Sequence, residues 1–307
     1  MRRLFIRPGA IGDCLCWLPT LAAIGTRNSA VWAPGPVLPL LELAAQRRNL
    51  AATGFSLLGV PGAKIPEQTI EALRGFDEIL SWSGCNQPEL RQACLQMGLP
   101  IHFFASLPDP LGSEHVSDWY LRQTREWHGL GEEPPAWRAA GGRRFLMPAA
   151  AAPIDPAAPL RIVLHPYSGS ARKNWPINAY RRLAESIAAS TRGRFAVQWC
   201  ASADDPLPED LARGAWRFPD LGDLARALCS AALFVGNDSG VTHLAAMLGV
   251  PTVAFFGPMR PEVWSPRGAA VHIVRSDQAD APATEIPFER GEHAVLSAIE
   301  RLIAFSL

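Results

Sequence analysis

The stretch that most constrains this chain runs from Ala231 to Pro258. Ala231 to Val235 is a short apolar run of the kind that forms a buried strand. Gly236, Asn237, Asp238, Ser239 and Gly240 then interrupt it with turn chemistry. Val241, Leu244, Ala245 and Leu248 fall at helical spacing, and Gly249 stands where a helix stops. Val250 to Phe256 is a second apolar run, closed by Gly257 and Pro258. Strand, tight turn, helix, strand is a βαβ unit with a parallel pair.

The turn inside that unit suggests a ligand. The first amides of the helix, near Ser239, Gly240 and Val241, have no partner within it. They share their direction with the positive end of the helix dipole, which suits a phosphate. Gly240 lets a ligand come close to the backbone. In an ordinary βα turn, Asp238 or Ser239 would simply cap the helix. His243, one turn in, stands within reach of a phosphate or sugar, or serves as a packing histidine.

A second turn of this type opens the chain. Arg2 to Arg7 reads as a strand, Pro8 to Asp13 as a glycine turn, and Leu15, Leu18, Leu21 and Ala22 as one face of a helix over Cys14 to Ile24. Ligands of open α/β sheets bind outside the carboxyl ends of the strands, at such turns. The glycines do not stand as G-x-G-x-x-G, so this is not the dinucleotide fingerprint.

At 307 residues, 48% of them apolar, the chain has enough material for two domains with cores of their own. Its balance of 29 basic and 29 acidic residues argues against nucleic acid as a partner bound by bulk charge. The 6 cysteines include no C-x-x-C pair, and Cys14 and Cys16 stand too close for the usual metal-ligand spacing. Scattered thiols of this kind suit a reduced, cytoplasmic compartment. No leader-like segment and no run of roughly 20 apolar residues is present, which leads to the expectation of a soluble protein.

Between the two turns the sequence predicts helices over 37–45, 89–97 and 115–127, and strands over 55–59, 79–82 and 101–104. The alanine- and proline-rich segment from Met147 to Pro159 reads as an extended linker. It divides the chain into residues 1–150 and 151–307. Leu160 to His165 is a strand, followed by Pro166 to Pro176 and a helix over 177–188. Phe195 to Trp199 is the next strand. Asp204, beyond it, is the candidate partner for ribose hydroxyls or an ordinary loop aspartate. A helix over 221–232 leads into the strand at Ala231, and the amphipathic helix from His293 to Phe305 could pack back across the domain junction.

Gly236-Asn237-Asp238-Ser239-Gly240-Val241-Thr242-His243-Leu244-Ala245-Ala246, with Val250-Pro251-Thr252-Val253-Ala254-Phe255-Phe256-Gly257-Pro258 after it, closely resembles the donor-binding segment of glycosyltransferase family 9, the bacterial heptosyltransferases. Two more motifs match in the family's order. Arg7, Gly12, Asp13 and Pro19 fit the opening motif. His165-Pro166-Tyr167-Ser168-Gly169-Ser170, with Lys173, Trp175 and Pro176, resembles the motif after the first strand of the second domain, with Tyr167 where glycine is usual.

The resemblance implies an α/β protein of GT-B fold, two Rossmann-like domains with parallel sheets facing a central cleft. It implies inverting, metal-independent transfer of a heptose from ADP-heptose to a lipopolysaccharide core or related glycan, with no cofactor. The N-terminal half would receive the acceptor, with Arg7 and Gly12 on that side. Asp13 would be the base that takes the proton from the acceptor hydroxyl, unless it only caps the helix. Ser168, Gly169, Ser170, Asp204, Asp238, Ser239, Gly240, Val241 and His243 would bind the donor. Lys173 would join them and offset charge on the departing diphosphate, or else be a solvated surface lysine. Asp238 is expected to cap an amide or accept from sugar hydroxyls. The location implied is cytoplasmic, with at most peripheral contact with the inner membrane face. Two other readings stay open: a transferase using another nucleotide sugar, and a non-catalytic nucleotide-sugar-binding subunit.

Overall fold

The computed structural model describes residues 1–25, 27–129 and 158–305. The chain forms two compact units, Met1–Pro135 and Ala136–Leu307. The expected boundary at 150, and the expected linker up to residue 157, lie outside the described residues.

In the first unit the elements are β1 (Arg3–Ile6), α1 (Ile11–Ile24), β2 (Ala30–Ala33), β3 (Gln46–Asn49), α2 (Glu67–Arg74), β4 (Glu78–Ser81), α3 (Pro88–Gln96), β5 (Ile101–Phe103) and α4 (Val116–Trp127). All strands pair in parallel, in the order β3-β2-β1-β4-β5. β1 is fully buried at the centre, with Leu4 opposite both Ala30 and Ile79. Strand order reverses between β1 and β4, so the turn after β1 lies where ligands of such sheets bind.

The second unit contains β6 (Leu160–His165), α5 (Ile177–Thr191), β7 (Phe195–Trp199), α6 (Glu209–Ala212), α7 (Leu221–Leu228), β8 (Ala231–Asn237), α8 (Gly240–Met247), β9 (Thr252–Phe256), α9 (Pro261–Trp264), β10 (Val271–Arg275) and α10 (Phe288–Phe305). Its parallel sheet runs β10-β9-β8-β6-β7. Order reverses here between β6 and β8. The two turns singled out in the sequence, after His165 and after Asn237, therefore stand side by side at the switch point. α10 lays Val295 and Ile299 on the core of this sheet, beside Trp175, Val253 and Phe255.

Several expected elements differ. The helix expected over 37–45 is a 3-10 helix at Gly35–Leu40. Pro36 and Pro39 remove the amides that a longer helix would need. The strand expected over 55–59 is instead a 3-10 turn, Phe55–Leu57, between Gly54 at φ 72° and Gly59 at φ 81°. Positive φ at both ends rules out a continuous strand, and a Cβ on Gly59 would stand 2.4 Å from the Leu90 amide nitrogen. β3 was not anticipated because Gln46, Arg47, Arg48 and Asn49 are all exposed on a sheet edge and carry no apolar alternation. The helix expected over 221–232 ends at Leu228, and Ala231 and Ala232 belong to β8.

Candidate functional site

In the second unit the site is built around the side chain of Asn237, the last residue of β8. It is 0% exposed. Its carbonyl oxygen accepts from the Trp175 amide at 3.0 Å and the Tyr180 hydroxyl at 3.1 Å, while its amide nitrogen donates to Pro166 O at 2.7 Å and reaches Asn174 Oδ1 at 3.4 Å. One side chain thus joins the turn after β6, the loop that carries Lys173, and α5. Trp175 is anchored as well, stacked on Phe255 at 4.3 Å with its indole N–H bonded to Ile286 O at 3.0 Å. The Lys173 loop passes so near the end of β9 that a Cβ on Gly257 would stand 2.6 Å from Arg172 O and 2.9 Å from Ala283 N.

On this frame Lys173 Nζ lies 2.8 Å from Asp238 Oδ2, with Asp238 nearly buried and Lys173 about a quarter exposed. Lys173 is therefore not a solvated surface residue, and Asp238 takes an ammonium partner where an amide or a sugar hydroxyl was expected. The cap of α8 is Ser239, whose hydroxyl accepts from Thr242 N at 3.3 Å. The first backbone bond of the helix runs from His243 N to Ser239 O at 3.2 Å, so the Gly240 and Val241 amides have no partner within the helix. The Thr242 hydroxyl bonds back to Asn237 O and fixes the turn from beneath. His243 is 6% exposed on α8.

In the loop after β6, Ser168 is occupied in shaping the chain: its hydroxyl lies 2.6 Å from Asn174 Oδ1 and 3.1 Å from Ser170 O. Gly169 and Ser170 are exposed. Tyr167, in place of the usual glycine, donates its hydroxyl to Pro206 O at 2.8 Å and so ties down the loop after β7. Within that loop Asp204 is exposed, while Asp205 accepts from Ser202 N at 2.6 Å.

His165, at the end of β6, is 3% exposed, and its Nδ1 has no partner. Burial pushes its pKa down to about 4, with Asp205 opposing that shift only in part. The unfolded chain binds the proton below about pH 6.5 and the folded chain only below about pH 4, so stability falls as pH drops through that window. The loss expected from this group is roughly 3 kcal/mol. Chemical denaturation of the parent and of His165→Asn between pH 7.5 and 4 checks this: the variant should show a shallower acid limb, and equal slopes would remove His165 as the cause.

In the first unit the turn after β1 is held from below by Arg7, which is 2% exposed. Its guanidinium donates to Pro8 O at 2.8 Å, to Asp13 O at 3.0 Å and to the Tyr120 hydroxyl at 2.6 Å, and lies 4.6 Å from the centre of the Tyr120 ring. Tyr120 in turn donates its hydroxyl to Ser106 O at 2.9 Å. Arg7, expected on the acceptor side, is thus buried beneath the turn and acts by shaping it. Asp13 is the third residue of α1 and not its cap. Its carboxylate reaches back to the Ala10 amide at 2.9 Å and remains partly exposed, as does Gly12. The sequence places Tyr120 on the helix expected over 115–127, among aromatics and arginines that could line a sugar or phosphate site or simply pack, but gives no signal for its bond to Arg7 or for the joining role of Asn237.

Residues 147–290 match the family model of glycosyltransferase family 9 (heptosyltransferase). Over that segment, a little under half of its length, the chain is similar to glycosyltransferase family 9. Lipopolysaccharide heptosyltransferase 1 of Pseudomonas aeruginosa is 34% identical over 137 residues, 43% of this chain and 38% of that protein. Lipooligosaccharide heptosyltransferase 2 of Haemophilus influenzae is 28% identical over 114 residues, 34% of this chain and 32% of that protein. The matched segment thus spans only about a third of the length of these curated relatives.

Among solved structures, the ADP-heptose lipopolysaccharide heptosyltransferase II of E. coli superimposes with a TM-score of 0.70 at 17% identity, covering 100% of both chains. The E. coli heptosyltransferase WaaC with ADP gives 0.67 at 17% identity, covering 98% of this chain and 100% of that one. At such identities the likeness is one of fold, and the fold of this chain is GT-B, as expected.

Proposed function

We propose that this chain is a member of glycosyltransferase family 9 and transfers a heptose, with inversion and without a metal, from ADP-heptose to a lipopolysaccharide core or related glycan. The observation that carries the reading is the paired Lys173 and Asp238 beside the free amides of Gly240 and Val241, at the switch point of the second sheet. A cation and two backbone donors on one rigid frame suit the charge that builds on a departing diphosphate. In this reading the second unit binds the donor, through Gly169, Ser170, Lys173, Ser239, Gly240 and Val241, with Asp238 and His243 next to the sugar. Ser168 shapes the loop, and Asp204 meets the ribose.

The first unit takes the acceptor, and the carboxylate of Asp13 accepts the proton of the attacking hydroxyl. Among the described residues no helix is long and apolar enough to cross a membrane. We place the enzyme in the cytoplasm, with at most peripheral contact with the inner membrane face.

Calorimetry with ADP tests the donor site. Lys173→Ala should weaken ADP binding by about 1.5–3 kcal/mol, the range for a lost charge-assisted hydrogen bond. Unchanged affinity would remove the diphosphate from this loop. The same titration with ADP-, UDP- and GDP-sugars reads out the base, and a preference for UDP or GDP would replace ADP-heptose as the donor.

A further inference from the structure

Tyr120 is 0% exposed on α4, the helix that packs against α1. Its ring meets Trp82 edge-on at 6.5 Å and Trp119 at 5.2 Å, and its hydroxyl stands between Arg7 and the loop after β5. Chemistry fixes which way each bond runs. Ser106 O can only accept, so the phenolic proton goes to it, and a lone pair is left facing the Arg7 guanidinium, which can only donate. Burial pushes the phenol well above its usual range, against the opposing pull of Arg7, so the proton stays in place.

Arg7 depends on that lone pair. It is a cation at 2% exposure, and the oxygens it meets, Pro8 O, Asp13 O and the Tyr120 hydroxyl, are all neutral. Its Nε has no partner among the described residues. A buried charge is costly unless its hydrogen bonds are made. Of the three acceptors, Pro8 and Asp13 belong to the turn itself, and Tyr120 alone ties the guanidinium to another part of the unit.

The turn leaves Asp13 little room. Its carboxylate accepts from the Ala10 amide at 2.9 Å, and a Cβ on Gly9, at φ 120°, would stand 2.9 Å from Asp13 Oδ2. The pose of the carboxylate therefore follows the backbone from Pro8 to Asp13, which Arg7 holds at both ends. A misplacement of about 1 Å in a reacting group can cost about 10² in rate.

We propose that Tyr120 is a positioning residue that keeps the Asp13 carboxylate in its working pose by way of Arg7. The inference rests on the reading of Asp13 as the base. Tyr120 acts through the guanidinium and needs no contact with substrate.

Tyr120→Phe keeps the ring and removes only the hydroxyl. The first readout is the Ala10 amide in nitrogen-15 NMR of the full chain without ligand. Ala10 is exposed, so its bond to Asp13 is what protects this amide. In Tyr120→Phe its exchange with solvent should quicken by about tenfold or more, as for the loss of one charge-assisted bond. Arg7→Lys keeps the charge but not the fork, and as a second variant it should loosen Ala10 in the same way. Thr124→Val is the control. Thr124 is 0% exposed on the same helix, and its hydroxyl bonds to Leu121 O at 2.8 Å and Tyr120 O at 3.3 Å, away from the relay. It should lower the melting point and leave the Ala10 amide as in the parent.

The second readout is turnover of ADP-heptose with a confirmed acceptor, run beside Asp13→Asn. In Tyr120→Phe kcat should fall by about 10–10², while KM for the donor stays near the parent value. An Ala10 amide unchanged in Tyr120→Phe, or moved equally by Thr124→Val, would overturn the positioning role. So would an undiminished kcat in Tyr120→Phe beside an inactive Asp13→Asn. Full turnover in Asp13→Asn would instead remove the base reading, and the Ala10 amide would still decide whether Tyr120 holds the carboxylate.

Discussion

Asp13→Asn is expected to lower turnover by about 10²–10⁴, or roughly 3–5 kcal/mol of barrier, the usual contribution of a general base. The structure makes this substitution unusually clean. Asp13 has one local task, accepting the Ala10 amide at 2.9 Å, and the amide oxygen of asparagine can take that bond over. Arg7 holds the turn through the backbone oxygens of Pro8 and Asp13, which the change does not touch. Melting temperature and ADP affinity should therefore stay near the parent values while the basic site disappears. If turnover with a confirmed acceptor remains within a few-fold of the parent, Asp13 merely closes the turn and the base must be sought elsewhere.

The largest structural effect is expected from Asn237→Ala. The substitution leaves the Trp175 amide, the Tyr180 hydroxyl and Pro166 O without their partner, in a place with no access to water. Each orphaned buried group costs about 1–3 kcal/mol, so a total of roughly 3–5 kcal/mol is reasonable. For a unit of this size that lowers the melting point by roughly 6–15 °C. ADP affinity should fall too, because the loops after β6 and β8 lose their common anchor. A variant that melts within 2–3 °C of the parent, on the scale where about 1 kcal/mol shifts Tm by that much, would show that the loops hold their shape without Asn237.

How far the sequence alone reaches is plain from these two residues. The βαβ unit around Asp238 was legible because its apolar runs, turn residues and stop glycine are local signals within 28 positions, Ala231 to Pro258. Asn237 could be seen only as part of a turn. Its partners stand 57, 62 and 71 positions away, and no periodicity reports such a bond. The Arg7–Tyr120 bond spans 113 positions and was equally hidden. β3 failed for another reason: an edge strand of four exposed polar residues is held by backbone pairing, which leaves no mark on side-chain pattern. The 3-10 segments at Gly35–Leu40 and Phe55–Leu57 turn on prolines and on glycines at positive φ, which outweighed the apolar runs around them.

The ion pair between Lys173 and Asp238 bears on selectivity. A lysine already held at 2.8 Å by a carboxylate is engaged before any ligand arrives. An incoming anion must compete with Asp238 for it, and a chloride ion has only one charge and no geometry with which to do so. A diphosphate brings several oxygens, so it can draw on the ammonium and on the amides of Gly240 and Val241 together. If the proposed donor site holds, the carboxylate would act as a threshold that rejects weak anions, and replacing it with a neutral group would make the site less discriminating even where it binds more tightly.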